Sequence, residues 1–478
     1  MKKIYIFITL SLLAFLIYCA VNPVTGKRQL MLLSQSDEIA LGQQTDKQVM
    51  QTYGIYNDSA LNGYVNGIGQ RMAKLTHRPN LKYTFKVLDT PMVNAFAVPG
   101  GYLYFTRGIL CYLNNEAELA GVMGHELGHV NARHSAVQYS RTQLAQLGLG
   151  VGMIFSEKFR QYAGLAQFGV GMLFLRFSRD NERQADDLGV EYSLKAGYNP
   201  AYMAAFFETL DRMNPGSDRS GLPSWFSTHP NPVDRVAAVL QKTKELEQKI
   251  PHKNLAVKRD EYLQKIDGLA FGDDPRQGYV DGNAFYHPQL NFTFPIPPDW
   301  KLSNTPSQVQ IVSPKQDAAI LLTIESAKSL LEASRQFTGK ASAQILSSDN
   351  LRVNGLSAQR IVSDVPSQQD TVRVMSYFIQ KDNKIFVFHG FAPREQFSAY
   401  RSNFNKTMSK FGRVKDRRKL NVRPQRVHIQ KIRSTGTLQN ALQKLGVRSD
   451  KLEQMALLNG MHLNDRVKAN LKIKLIGK

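Results

Sequence analysis

Two histidines four residues apart, in His125-Glu126-Leu127-Gly128-His129, can grip one metal ion from a single face of a helix. Glu126, one residue past the first of them, can reach a water held at that metal and take its proton while the metal's charge makes the water acidic. This is the chemistry of a zinc hydrolase, with one zinc ion per chain. The same pentapeptide also arises by accident, and a histidine on an apolar face reads equally as a satisfied core residue, so the surroundings have to decide.

Those surroundings predict a packed helix. Between Glu116 and Val130, apolar residues fall at Leu119, Val122, Met123, Leu127 and Val130, a helical period uninterrupted by proline. Gly124 and Gly128 each weaken a helix interior by about 1 kcal/mol relative to alanine, so they suggest close approach of another backbone or of the metal site. A third protein ligand is expected at Glu182, with Asp186 one turn further on accepting the spare ring N–H of a histidine ligand. The competing reading is a solvated helix face, since Arg179, Asp180, Arg183 and Asp187 surround the pair.

Upstream, Ala95 to Val98 and Tyr102 to Thr106 are β-prone stretches separated by Pro99-Gly100-Gly101. The segment Asn94, Ala95, Phe96 and Ala97 is expected to be an edge strand beside the metal, where an extended peptide could add itself by main-chain hydrogen bonds. The alternative is a plain core hairpin.

Four pieces in order now resemble a known family: Asn94 to Gly108, the metal helix, the Glu182/Asp186 pair, and Ser227-Thr-His-Pro-Asn-Pro-Val-Asp-Arg235. Spanning roughly residues 30 to 250, they are similar to the gluzincin metallopeptidases of the HtpX, BepA and Oma type, peptidase family M forty-eight. The resemblance implies zinc held by His125, His129 and Glu182, Glu126 as general base, and His229 with Arg235 at the other wall of the site. It further implies that His229 either closes the site as a fourth ligand or donates to the oxyanion, with Arg235 as a second stabiliser. Read from the residues alone, His229 is a surface histidine in a rigid loop before a helix.

The chain has 478 residues, room for roughly three domains, and a formal charge of +22 that favours anionic partners. Met1-Lys2-Lys3 and the apolar run Ile4 to Ile17 have the layout of a secretory signal, and Leu16-Ile17-Tyr18-Cys19 resembles a lipoprotein cleavage box departing from it at Tyr18. Export to the periplasm with a lipid anchor at Cys19 is therefore expected, against an uncleaved anchor helix or removal without lipid. The following residues 20–26 read as a tether, and the only other cysteine, Cys111, as a buried structural thiol. Export makes nucleic acid a poor match for the positive charge. Membrane surface, reached through the lipid anchor or the basic stretch Lys406 to Arg433, and peptidoglycan fit it better. Glycine-rich apolar runs at 144–155 and 163–175 are too short to span a membrane and read as a mobile flap over the cleft, in preference to a membrane hairpin.

The expected architecture is multidomain: a mainly α, zincin-like (gluzincin) catalytic domain with a small edge sheet, then a small α+β domain, then a LysM-like βααβ module. The boundaries are a signal peptide of lipoprotein type at 1–19, the catalytic domain at 20–252, a linker at 253–282, the α+β accessory domain at 283–412, a basic linker at 413–426 and the LysM-like module at 427–478. The module's resemblance to LysM implies peptidoglycan binding. His287 and His389 in the accessory domain lack partners at ligand spacing. The predicted function is zinc-dependent cleavage of unfolded or misassembled envelope proteins. The alternatives are an assembly chaperone or scaffold with a latent zinc site, or a cell-wall-binding protein. A peptidoglycan amidase is disfavoured, because the Glu182/Asp186 pair resembles proteases.

Overall fold

A computed structural model describes residues 19–149, 177–213, 225, 229, 234–366 and 371–477. The expected signal segment before Cys19, residues 150–155 of the first glycine-rich run, the whole of the second and the stretch 230–233 lie outside the described residues. Two compact units emerge: Met1–Met50 with Gly54–Gly272 and Gln425–Lys478, and Asp273–Pro424 with Gln51–Tyr53. Among the described residues no helix is long and apolar enough to cross a membrane.

The first unit begins with a hairpin, β1 (Cys19–Val21) against β2 (Arg28–Leu30), followed by α1 (Gln35–Tyr53) and α2 (Ser59–Ala73). The stretch expected to be a tether instead packs. Asn22 donates to the Ala132 carbonyl, and Glu38 on α1 accepts from both Arg78 and Arg133 in a buried cluster. A small sheet follows: β3 (Thr84–Leu88), β4 (Ala95–Val98) and β5 (Tyr102–Thr106), ordered β3-β5-β4, so that β4 is an edge. Short α3 (Arg107–Tyr112) leads to the metal helix α4 (Glu116–Asn131), whose Asn115 cap accepts from the Glu118 amide. Then come α5 (His134–Leu149), α6 (Arg179–Lys195), α7 (Ala201–Arg212), α8 (Arg235–Glu247), α9 (Arg259–Ile266) and strand β6 (Ala270–Phe271).

Helix α4 is buried along its whole length, which fixes the direction of its side chains. Its glycines explain how α6 comes so near: a Cβ built on Gly124 would lie 2.8 Å from the Gly189 carbonyl oxygen, and one on Gly128 3.0 Å from that of Ala185. Helix against helix without intervening side chains brings Glu182 and Asp186 within reach of the histidines.

The second unit is antiparallel. A three-stranded sheet, β7 (Tyr279–Asp281), β8 (Ala284–His287) and β9 (Phe292–Pro295), precedes a seven-stranded one. Its strands are β10 (Lys301–Asn304), β11 (Gln308–Val312), β12 (Ala319–Glu325), β13 (Gln344–Val353), β14 (Leu356–Pro366), β15 (Thr371–Lys381) and β16 (Lys384–Pro393), in the order β10-β11-β12-β16-β15-β14-β13. Helix α10 (Leu330–Lys340) covers Phe378 and Val387, while α11 (Phe397–Met408) packs with Tyr377 and Phe388, so alternate strand residues feed two apolar clusters. The accessory region is thus helix plus sheet, and it extends past the expected 283–412 on both sides.

After this excursion the chain returns to the first unit as β17 (Gln425–Lys431), β18 (Gly436–Thr437), α12 (Leu438–Lys444), α13 (Leu452–Leu458), β19 (Arg466–Val467) and β20 (Lys472–Gly477). Strand β17 pairs with both β20 and β6, and Leu438, Leu442, Met455 and Ile473 join one apolar core with Leu119 and Val122 of the metal helix. The return is therefore part of the first unit's core and not a module on a linker. Residues 259–271, expected within a linker, supply α9 with buried Tyr262, Leu263 and Ile266. Lys474 is fully buried and donates to the carbonyls of Cys111 and Leu113, just ahead of α4. Burial pushes its ammonium down to about 7 and the nearby Glu118 carboxyl up to about 7. Cys111 is buried, and desolvation raises its thiol to about 12, the inert state expected for it.

Because the α4–α6 contact tolerates no side chain, Gly124→Ala should destabilise the protein by about 1–3 kcal/mol through overpacking. A lowered urea midpoint checks this, whereas an unchanged midpoint would show that the helices part freely.

Candidate metal centre

Helix α4 offers His125 and His129, α6 offers Glu182, and the residue preceding the undescribed 230–233 loop is His229. Each is at most 1% exposed. These four form a group whose donor atoms all lie within 4.8 Å of one another. His125 Nε2 is 3.0 Å from His129 Nε2 and 3.7 Å from Glu182 Oε2, and His129 Nε2 is 3.5 Å from Glu182 Oε1. His229 turns its Nδ1 inward, 3.2 Å from His125 Nε2 and 3.1 Å from Glu182 Oε1. A tetrahedron with metal–ligand bonds of ~2.1 Å has edges of roughly 3.4 Å, and the observed separations bracket that value.

Two further atoms test the fit. Glu126 Oε1 and His229 Nε2 are buried without a hydrogen-bond partner and stand 3.6 Å apart. Orphaned polar atoms of this kind are costly unless something fills the space between them. A donor set of imidazoles and a carboxylate, next to a general-base carboxylate, is that of a zinc site.

Electrostatics follow from burial. Desolvation raises the Glu126 carboxyl, with His229 and His125 opposing it in part. Burial also works against charge on Glu182, but His229 and Arg235 together outweigh it and hold that carboxyl below its ordinary value. Desolvation keeps His129 well below the usual imidazole range, the neutral form a ligand requires.

Asp186 accepts from His125 Nδ1 at 2.8 Å, as the sequence predicts for a residue that fixes the ring. Arg235 is seated differently from the expected oxyanion role. Its Nε and Nη2 hold Asp186 at 2.6 and 2.8 Å, its guanidinium lies 4.0 Å from the centre of the Phe207 ring, and only Nη1 is left without a partner. The pull of two buried carboxylates draws it behind the ligands.

Asn94 leads into the edge strand β4, and Ala95, Phe96 and Ala97 lie along it. The Asn94 amide donates to the Thr106 hydroxyl and the Thr106 amide to the Asn94 carbonyl, and the Asn94 side-chain oxygen is buried without a partner. Sequence reasoning missed three contributors. Trp225 stacks on His229 (centroids 4.3 Å apart), Phe177 stacks on His129 (4.1 Å), and His134 touches the far side of His129. The one available signal was His134, five residues after His129 and just past the helix end.

Residues 59–243 match the model of peptidase family M48. The segment is similar to the peptidase M48 domains. Similar proteins include the beta-barrel assembly-enhancing protease of Escherichia coli strain K12, 29% identical over 224 residues that make up 45% of this chain and 45% of that one. The mitochondrial metalloendopeptidase OMA1 of Schizosaccharomyces pombe is 29% identical over 223 residues, 45% of this chain and 64% of its own. OMA1 of Arabidopsis thaliana is 30% identical over 169 residues, covering 35% and 33% respectively. The chain spans about half the length of the first of these relatives.

Removing the carboxylate donor tests the centre. Glu182→Ala should lower bound zinc from about one ion per chain to near zero after dialysis against a weak chelator, as measured by atomic emission. Full retention would place the metal elsewhere.

Proposed function

We propose that this chain is a zinc-dependent endopeptidase of the bacterial cell envelope that hydrolyses misfolded or misassembled envelope proteins. The observation that carries the reading is the buried His125, His129, Glu182 and His229 group with the unpartnered Glu126 carboxylate beside it. The M48 match over the same residues and the names of the similar proteins support it.

The three residues that would hold zinc are His125, His129 and Glu182. When bound, the ion supplies positive charge that acidifies a water and polarises a peptide carbonyl. Glu126 takes a proton from the attacking water and delivers it to the leaving amine, and its burial-raised basicity suits both tasks. Extended substrate lies along β4, where main-chain pairing gives affinity with little demand on sequence. Arg235 holds Asp186, which holds His125. His229 sits opposite Glu126 at 3.6 Å, placed to donate from Nε2 as negative charge develops on the carbonyl oxygen.

One observation favours a second reading. His229 Nδ1 completes a four-donor set, and a zinc with four protein ligands has no open position for water. In that state the protein is latent, and it could hold clients as an assembly chaperone without cutting. Export with a lipid on Cys19, contact with an anionic membrane surface through the basic stretch, and glycan binding by the LysM-like return complete the proposed setting.

Glu126→Gln with zinc retained should lower hydrolysis of an unfolded casein-type substrate by at least about 100-fold, in line with the loss of a general base. A chelator should abolish it in the wild type. A wild-type phenotype in cells carrying Glu126→Gln would favour the chaperone instead. His229→Ala and His229→Arg should alter the rate or timing of client cleavage, and unchanged proteolysis in both would remove His229 from the regulation of the site.

A further inference from the structure

The two histidines of the metal helix are backed differently. His125 and His129 direct Nε2 to the same point, 3.0 Å apart and both facing Glu182, so in each ring the lone pair belongs at Nε2 and the proton at Nδ1. His125 Nδ1–H has an anion to receive it, Asp186 at 2.8 Å. Among the described residues His129 Nδ1 meets no carboxylate there. It meets the Nδ1 of His134, at 3.0 Å.

Two ring nitrogens at that distance require one proton between them. With the proton on His129 Nδ1, His134 Nδ1 must accept, which leaves the His134 proton on Nε2. That proton also has a destination, because His134 Nε2 lies 2.9 Å from Gln184 Oε1, an amide oxygen that can only accept. The chain Gln184–His134–His129 therefore has a single consistent direction, ending at the metal-facing lone pair. Its middle member is held in place. His134 opens α5 immediately after Arg133, which adopts the left-handed region (φ 58°) and is pinned by Glu38 at 2.9 Å and by the Leu33 carbonyl. His134 is 4% exposed, and Phe177 packs over His129 and reaches it, so water does not substitute for the contact.

We propose that His134, oriented by Gln184, is a positioning residue that fixes the tautomer and ring plane of His129 for zinc, the neutral counterpart of what Asp186 does for His125. The proposal rests on the zinc reading above. Among the described residues no carboxylate takes this role on the His129 side, and the residue acts through another without touching substrate.

The test measures zinc affinity of the full chain by competition with a chromophoric chelator, alongside the melting transition of the metal-free protein. His134→Phe keeps a ring against Phe177 but offers no acceptor, and should weaken zinc binding roughly 10- to 100-fold, as the loss of an outer partner of a ligating histidine does. His134→Asn places an acceptor oxygen where Nδ1 was and should restore affinity to within a few-fold of wild type. Gln184→Leu should weaken binding several-fold, while Gln184→Glu, which still accepts from His134, should not. Equal affinity in all variants overturns the proposal, and so does equal loss in His134→Phe and His134→Asn, which would mean that His134 only packs. If His134→Phe does not fold, the Gln184 pair decides, since a Leu variant that binds like the Glu variant also overturns it. A wild-type chain that binds no zinc would instead defeat the metal reading itself.

Discussion

A carboxylate with no solvent exposure, Glu182, sets the terms for everything around it. Taking an unpaired carboxylate out of water costs several kcal/mol, and the protein meets that cost with His229 and Arg235 close by and with two more imidazoles facing it. Such an arrangement requires two helices to approach more closely than side chains permit, which is why Gly124 and Gly189 lie backbone to backbone. The metal site is thus a consequence of helix packing as much as of its ligands.

Around that constraint the first unit builds supports of different kinds. One ligand is backed by an ion pair, Asp186 with Arg235, and the other by an imidazole tied to an amide. The N-terminal hairpin and α1 reach the same region through Glu38 and Arg133, so segments far apart in the chain converge on the end of α4. Stacked aromatic rings, Trp225 on His229 and Phe177 on His129, hold the imidazole planes.

How much of this was legible depended on the range of the interaction. The metal helix announced itself because its apolar residues follow one helical period, and Glu182 with Asp186 because they are one turn apart. The strands Ala319–Glu325 and Thr371–Lys381 were readable from their apolar character. The hairpin β13–β14 was not, although its Asn354-Gly355 turn has the positive φ values that such a pair favours, 48° and 85°. Ser347, Ser348, Asp349 and Asn350 leave β13 almost wholly exposed, so no alternation marks it as a strand. Phe177 carried no local sign at all, since the His129 ring it stacks on is supplied by α4, and nothing in the four-residue step from Trp225 to His229 marked their stacking. The bond from Arg235 to Asp186 was hidden for the same reason: both residues were visible in sequence, but the direction of the guanidinium was not.

Lys474 looks like one more surface lysine in a basic tail, yet its ammonium caps two carbonyls 363 and 361 residues earlier in the chain, with an entire second unit inserted between. The bed beneath the metal helix is therefore discontinuous, and a ribosome must pass residue 474 before that bed can be completed. Contacts of such long sequence separation form late and slowly. A core assembled in this order stays incomplete until residue 474 has been made, so the helix that carries His125 and His129 rests on its full bed only after the inserted unit has been synthesised.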